Sequence, residues 1–420
     1  GSPLPSADPN RTAVNMDLFP AGMIENITTH KTFTPDLPAS FAGGVVDIRT
    51  KPFPEEPSLR LSVSGTYKTN TTLSDKFLTY EGGTLDWLGF DDGTRKMPEV
   101  FENYTKDDVD RIAPKADINF NSNYLRSRID NPGDLILDTL RLVDEFVNSL
   151  STEMIPHRTR AMPNQSYSLS MGNTFSLAGN PLGLRLGAAY SNKYALSLNN
   201  IRRVYSFNPA GTPETRDFDL TVTSAKHTVL WGILGTGAYE LSDDHRLKAN
   251  YMYTRNAIDA VQRYEGTFTY YFPEKTYLNN QLRFVERSVN YIQPGGEHRF
   301  WPGNHPLHLR WRGAYTATTQ DEPDMRQYYY FYQPYTADSS IYIMKGEITE
   351  PLHEWRDLGE RSGSGRIEIA TPFYQWNGDS ATVSAGLSLQ VKKREQRQRT
   401  LWYTMYDYFS GVKRSTTPPS

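Results

Sequence analysis

The stretch FTPDLPASFAGGVVDIRTK, residues 33–51, makes the chain bend and then extend. Its two prolines fix the backbone angle φ and lack an amide donor. Gly43 and Gly44 follow, and glycine tolerates the positive φ angles that a sharp bend requires. The run VVDIRT at residues 45–50 is rich in β-branched side chains and predicts a short strand. These residues by themselves predict a turn and then a strand, as in many β-rich proteins.

After residue 57, apolar and polar residues alternate through much of the chain. Successive side chains of a strand point to opposite faces, so each alternating segment predicts a strand with one apolar and one polar face. Several of the apolar faces finish in Tyr or Trp. About nine strands are predicted, near residues 58–69, 164–177, 182–194, 226–241, 246–257, 280–300, 307–319, 363–375 and 381–401.

The connections between these strands alternate in length. Short links lie at residues 178–181, 242–245, 302–306 and 377–379, and long ones at about 70–163, 195–225, 258–278 and 320–362. A β-sandwich or a soluble barrel would also show alternating side chains, but neither has a reason to alternate its loops. A transmembrane β-barrel does, because its periplasmic turns are short and its extracellular loops long.

Composition narrows the classes of function. The 420 residues include 45 Lys and Arg against 48 Asp and Glu, so no overall field attracts nucleic acid, and no nucleic-acid partner is predicted. The chain has no Cys, which removes disulfides and thiolate chemistry. It lacks an apolar run of about 18 residues, which excludes a membrane-spanning helix. Its 27 Tyr within a polar chain of mean hydropathy −0.61 are typical of barrel walls.

Residues 24–54 resemble, as an ordered run, the end of the plug domain of TonB-dependent outer-membrane receptors, where the plug continues into the first barrel strand. Further similarity lies in LDWLGFDDGTR at residues 85–95 and NQSYSLS at 164–170. It continues in GGEHRF at 295–300 and TQDEPD at 319–324. The similar segments keep their order across most of the chain.

This resemblance implies an all-β fold: an antiparallel transmembrane β-barrel, here about nine of about 22 strands. Residues 1–53 would be the C-terminal part of the plug domain, and 54–420 the N-terminal portion of the barrel. The first residues contain no signal peptide. We therefore expect an interior piece of a longer receptor, whose strands form an open sheet and which does not transport a ligand alone.

The resemblance also implies a function. Such receptors lie in the Gram-negative outer membrane, contact its lipid, and have extracellular long loops and periplasmic short turns. They bind a scarce ligand and import it with energy from a TonB-type complex, reached through an N-terminal segment missing here. A siderophore, cobalamin, a glycan or a peptide all remain open as ligands. The alternative is a secreted β-rich carbohydrate-active enzyme or a carbohydrate-binding module.

Candidate functional residues lie in the predicted loops. Acidic clusters at Asp91-Asp92 and residues 321–324 offer oxygen ligands for Ca²⁺, but their spacing favours solvated turns. Aromatic runs at residues 270–272 and 328–332 could stack on a sugar or planar chelate, or pair ring on ring. The candidates for facing a ligand are Trp87, Asp91, Asp92, Tyr270, Tyr271, Tyr328 and Tyr330.

Two further predictions concern chemistry and the first loop. Neither a G-x-S-x-G nor an H-E-x-x-H frame is found, nor a glycine-rich phosphate loop, so no enzyme, catalytic residue, cofactor or metal is predicted. A helix is predicted at residues 134–150, with an apolar stripe at Ile136, Leu140, Val143, Val147 and Leu150. We expect this helix to pack on neighbouring loops, not to form a lid.

Overall fold

The structure is a computed structural model, and it consists mostly of antiparallel β-strands. The residues it describes are 24–32, 44–50, 56–105, 107–108, 135–207, 210–268, 272–303, 306–336, 339–343 and 351–402.

The strands are long and the helices few. In chain order the strands are β1 Ile24–His30, β2 Val45–Thr50, β3 Ser58–Thr66, β4 Phe77–Thr79, β5 His157–Thr159, β6 Asn164–Leu177, β7 Asn180–Phe207, β8 Pro213–Ser242, β9 His245–Phe268, β10 Phe272–Phe300, β11 Leu307–Thr336, β12 Ser339–Ile343, β13 Leu352–Tyr374 and β14 Ser380–Trp402. The helices among the described residues are a 3-10 turn at Asp86–Leu88, α1 at Glu99–Glu102 and α2 at Leu135–Ser149.

One large sheet organises the molecule. Its strand order is β14-β13-β11-β10-β9-β8-β7-β6-β3, with β12 paired beside β11. The nine strands of this order match the nine predicted from alternation, which confirms that part of the sequence analysis. Strands β3 and β14 lie at opposite edges, and the described strands do not close into a barrel.

Three of the predicted long loops consist largely of strand, so their prediction as loops was wrong. Residues 195–207 and 213–225 extend β7 and β8, and similar extensions lengthen β9, β10, β11 and β13. These extensions lack strict alternation, but their backbone groups still pair across the sheet, as from Tyr194 opposite His227 to Val204 opposite Phe218. Pairing with a neighbour satisfies the backbone, and no single segment signals it.

The two faces of the sheet differ sharply in exposure. Ile233 and Tyr251 are exposed on one face, whereas the next residues, Leu234 and Met252, are buried on the other. The second face buries polar residues too, among them Thr316. We call the first the apolar face and the second the polar face.

The exposed apolar residues form a band. Cross-strand pairing places Leu182, Tyr239 and Leu247 in one row, and Tyr190, Trp231 and Arg255 in a second row on the same face. Residues between these rows include Leu184, Leu186, Ile233 and Tyr251, and all four are exposed. The rows are eight residues apart on each strand, or about 26 Å at about 3.3 Å per residue. We call this region the apolar band.

The segment predicted to end a plug is described only in part. Strands β1 and β2 pair antiparallel in a sheet of their own, which confirms the predicted strand at residues 45–50. The predicted bend at residues 33–43 lies outside the described residues.

Helix α2 confirms the predicted helix but not the whole of its predicted stripe. Phe146 and Leu150 are buried, whereas Val147 is half exposed. Phe146 stacks on Phe101 of α1, with ring centroids 4.8 Å apart. The buried side of the helix thus includes Phe146 and Leu150 and not Val147, whereas the side chains of Ile136, Leu140 and Val143 lie outside the described residues. The helix therefore packs on a neighbouring part of the same loop and on Trp355 and Leu401 of the sheet.

Candidate functional site

The connection between β3 and β6, residues 67–163, is named loop L1. Its described part docks on the apolar face immediately above the apolar band. A hydrophobic core forms there between L1 and three adjacent strands: Phe77, Leu78, Tyr80 and Ala161 from L1 pack with Ala225, Val261 and Leu282 from the sheet. The three sheet residues share one cross-strand row. Loop L1 thus covers the apolar face beyond the point where the band ends.

Three side chains of the upper row hold L1 against the sheet. The Tyr190 hydroxyl donates to the carbonyl oxygen of Trp87 over 2.8 Å. The Trp231 Nε1–H donates to the carbonyl of Leu88, and the Arg255 Nε–H to that of Gly89, each also over 2.8 Å. Because Tyr190, Trp231 and Arg255 are direct cross-strand neighbours, three consecutive carbonyls meet three consecutive strands.

Gly89 is the point of closest approach. Its φ is +75°, which favours glycine, and a Cβ here would lie 3.0 Å from the Ala257 Cβ and 3.2 Å from Val229. The absence of a side chain lets the backbone of L1 touch the sheet. Gly89 also ends the 3-10 turn, donating its N–H to the Asp86 carbonyl.

Arg95 is the electrostatic centre of this docked segment. Its side chain is fully buried, and its Nη1 and Nη2 contact the two oxygens of Asp86 over 2.8 and 2.5 Å. Nη1 also lies 3.1 Å from Asp91 Oδ1. The guanidinium stacks over the Phe284 ring, 4.4 Å from its centroid. A bidentate ion pair buried on an aromatic ring fixes the loop's conformation more firmly than an exposed pair would.

Asp91 and Asp92 therefore have structural partners. The Asp91 carboxylate pairs with Arg95, and its N–H donates to Glu286 Oε2 over 3.2 Å. Asp92 accepts hydrogen bonds from the hydroxyl and N–H groups of Thr94 and of Thr84. The Thr94 hydroxyl, with Thr84, holds the pKa of Asp92 well below its usual range.

Trp87 lies on L1, above the apolar face, and the residue is 58% exposed. The polar face is on the other side of the sheet. The sequence could not reveal this placement, because the side on which a long loop folds depends on distant strands. That Trp87 faces a ligand stays a prediction.

The acidic run at residues 321–324 is not the solvated turn that was predicted. It lies within β11, at an irregularity where Asp324 adopts a φ of 50°. Asp324 is buried between Arg326 and His353, and contacts Arg326 Nε over 2.7 Å. Burial alone would raise the pKa of Asp324, but the His353 hydrogen bond and charge hold it below its usual value. Buried acids need such partners, and here one lies two residues away on β11 and the other on β13.

The aromatic run of β11 divides between the two faces, as alternation requires. Tyr328 and Tyr330 share one face with ring centroids 5.9 Å apart, and Tyr330 is buried. Tyr329, which was not singled out, is fully buried on the opposite face, where its ring lies 6.1 Å from that of Tyr277. The geometry favours ring-on-ring packing over stacking on a ligand. Tyr270 and Tyr271 lie outside the described residues.

The polar face carries a charged network that sequence reasoning did not find. Glu322 is buried and pairs with Arg283, whose Nη2 lies 2.8 Å from Oε2, and with Arg356 at 3.5 Å. On the neighbouring strands, buried Glu360 pairs with Lys392 over 2.8 Å and with Arg394. Only the register of β10, β11, β13 and β14 brings these residues together. The arrangement gives the polar face a row of buried, paired charges.

Within the described ranges, no group of three or more His, Cys, Asp or Glu side chains is placed to hold a metal ion. No described helix is long and apolar enough to cross a membrane. Comparison of the chain with protein-family models, curated proteins and solved structures finds no match.

Proposed function

We propose that this chain forms part of the wall and plug of a TonB-dependent receptor in a Gram-negative outer membrane. The receptor binds a scarce extracellular ligand and imports it with energy from the inner-membrane complex, without chemical change to the ligand. The ligand is a siderophore, cobalamin, a glycan or a peptide. The plug-like sequence at residues 24–54 supports the family assignment, and the apolar band supports the membrane.

The single observation that carries this proposal is the inverted distribution of polarity. The apolar face is exposed along the band, and the polar face buries threonines and ion pairs. A soluble sheet protein buries its apolar face instead. The band spans about 26 Å of strand, or about 20 Å at a tilt of about 40°, near the apolar height of an outer-membrane barrel. Aromatic rings lie at both limits, including Tyr239 below and Tyr190 above.

A pair of arginine substitutions on one strand tests the membrane assignment. Leu186 is exposed at the middle of the band on β7, and Ile201 is exposed on the same strand beyond the band. In lipid, Leu186→Arg costs about 2 to 4 kcal/mol and Ile201→Arg about zero. The measurement is the unfolding free energy of the natural protein in lipid vesicles. Equal, negligible costs for both variants would favour the secreted carbohydrate-active or carbohydrate-binding module.

These 420 residues contain no Cys, so a cysteine introduced among them is the only one within them and can report orientation. Lys76 in L1 and Asp243 in the β8–β9 turn are both exposed, so each accepts a cysteine without steric conflict. In intact cells a membrane-impermeant maleimide should label Lys76→Cys but label Asp243→Cys only after the outer membrane is opened. Gly82 and Gly83 are poor insertion sites, since added atoms would meet Asp86 and Asp92. The reverse labelling pattern would invert the topology.

Active import is tested separately. Cells are given ferric siderophores, cobalamin and maltooligosaccharides in turn, and depletion of each from the medium is followed. We expect deletion of this protein and deletion of the energy-transducing complex to abolish uptake of the same compound. Uptake that survives loss of the energy-transducing complex would mean a passive channel.

A further inference from the structure

Leu85 and Trp87 are exposed apolar residues on a segment that is otherwise firmly docked. Their exposed fractions are 41% and 58%, while the backbone between them and Gly89 is hydrogen-bonded to the sheet. Phe90, 36% exposed, has the Arg255 guanidinium 3.8 Å from its ring centroid. An ordered loop that leaves its largest apolar side chains outside marks a contact surface.

The position of this segment identifies what it contacts. Its carbonyls bind the row of Tyr190, Trp231 and Arg255, which is the upper limit of the apolar band. The next row below contains Ile233, which is exposed. Rows on one face are two residues apart, or about 7 Å, and the Trp87 carbonyl binds Tyr190 of the uppermost row, which places its backbone near the level where the band ends. Trp favours that level, where an amphipathic ring meets headgroups.

We infer that Leu85 and Trp87 anchor loop L1 in the lipid–water interface at the outer limit of the apolar band. This inference rests on the proposed membrane location of the sheet. It gives the 3-10 turn a role as a lipid contact outside the barrel wall instead of a ligand contact within it. The Arg95–Asp86 pair keeps the turn rigid, so its exposed side chains reach the interface without a large loss of conformational freedom.

The charges around the turn fit the headgroup level. Arg95 pairs with both Asp86 and Asp91, and Arg255 pairs with Glu286. The two aspartates carry one charge more than Arg95, and exposed Asp92 is bonded only to threonines among its side-chain partners. A segment that keeps a negative charge suits the hydrated headgroups and not the acyl chains.

The test uses single cysteines carrying an environment-sensitive fluorophore, in the natural protein reconstituted into phosphatidylcholine vesicles. Labels replace Leu85, Trp87, Leu186 and Lys96 in turn, and quenchers are attached to the lipid headgroup or to the middle of the acyl chain. Residue 87 binds the sheet through its main-chain carbonyl, so the substitution leaves that bond in place. Leu85 provides an independent second position.

We expect headgroup quenching at Leu85 and Trp87 to be severalfold stronger than at Lys96, which is exposed on L1. Leu186 should respond most to the acyl-chain quencher. If Leu186 meets lipid while both Leu85 and Trp87 remain unquenched, the anchor is refuted and the membrane barrel stands. If Leu186 is also unquenched, the proposed membrane location fails together with the anchor.

Discussion

Replacement of Arg95 by Met should loosen loop L1 without altering the sheet. The substitution keeps an apolar stem over Phe284 but leaves Asp86 and Asp91 without their cation. Removing one member of a buried ion pair costs about 3 to 5 kcal/mol. The side chains of Asp86 and Asp91 retain 16% and 13% exposure, so water partly solvates them and the lower limit applies. About 3 kcal/mol corresponds to a change of about 100-fold in an opening equilibrium.

Amide hydrogen exchange across residues 84–95 measures this opening directly. Lys96→Met is the matched control, because Lys96 is the next residue and its exposed pair with Glu102, 3.3 Å long, is worth about 0 to 1 kcal/mol. Exchange in the paired strands β8 and β9 should stay unchanged in both variants. If the amides of L1 are equally protected from exchange in Arg95→Met and Lys96→Met, the ion pairs of Arg95 do not hold the loop.

Three further outcomes follow from particular contacts. Burial raises the pKa of Asp259 to about 7, against about 3.9 in the unfolded chain. Between about pH 4 and 7 the folded protein therefore binds one proton more than the unfolded chain, so stability should fall as pH rises through this range. Asp259→Asn should abolish that slope in pH-dependent melting. Phe146→Ala should release α2 to proteolysis through loss of about 3 to 5 kcal/mol of packing, whereas Val147→Ala, at a half-exposed neighbour, should not. In Gly296→Ala the new Cβ would lie 2.4 Å from an indole nitrogen, with an expected cost of about 1 to 3 kcal/mol in vesicle unfolding, while Gly365→Ala meets nothing within 4 Å and should be neutral.

Local sequence patterns were sufficient to predict the alternating part of each strand in the large sheet. The alternation around Leu184 and Leu186 depends only on the period of a strand, which is two residues wherever the segment pairs. The same pattern distinguished the apolar from the polar face, and short polar links located the tight turns. The helix at residues 135–149 could also be predicted from the sequence, because an amphipathic stripe is a property of one segment.

The strand lengths and the docked loop required the tertiary structure. Residues 195–207 form strand because they pair with β8. The intrinsic β propensity of a segment does not show whether such a partner is present. Arg95 reaches Phe284, and Asp91 reaches Glu286, across nearly two hundred residues of chain.

The sequence by itself therefore determined the alternating part of each sheet strand and which side of that part is apolar, because both follow from neighbours along the chain. Only the tertiary structure decided that Trp87 belongs to the apolar side, and that Glu322 and Asp324 are buried with Arg and His partners. The physical reason is that side-chain alternation acts over two residues, whereas burial and ion pairing depend on which distant strands are brought together.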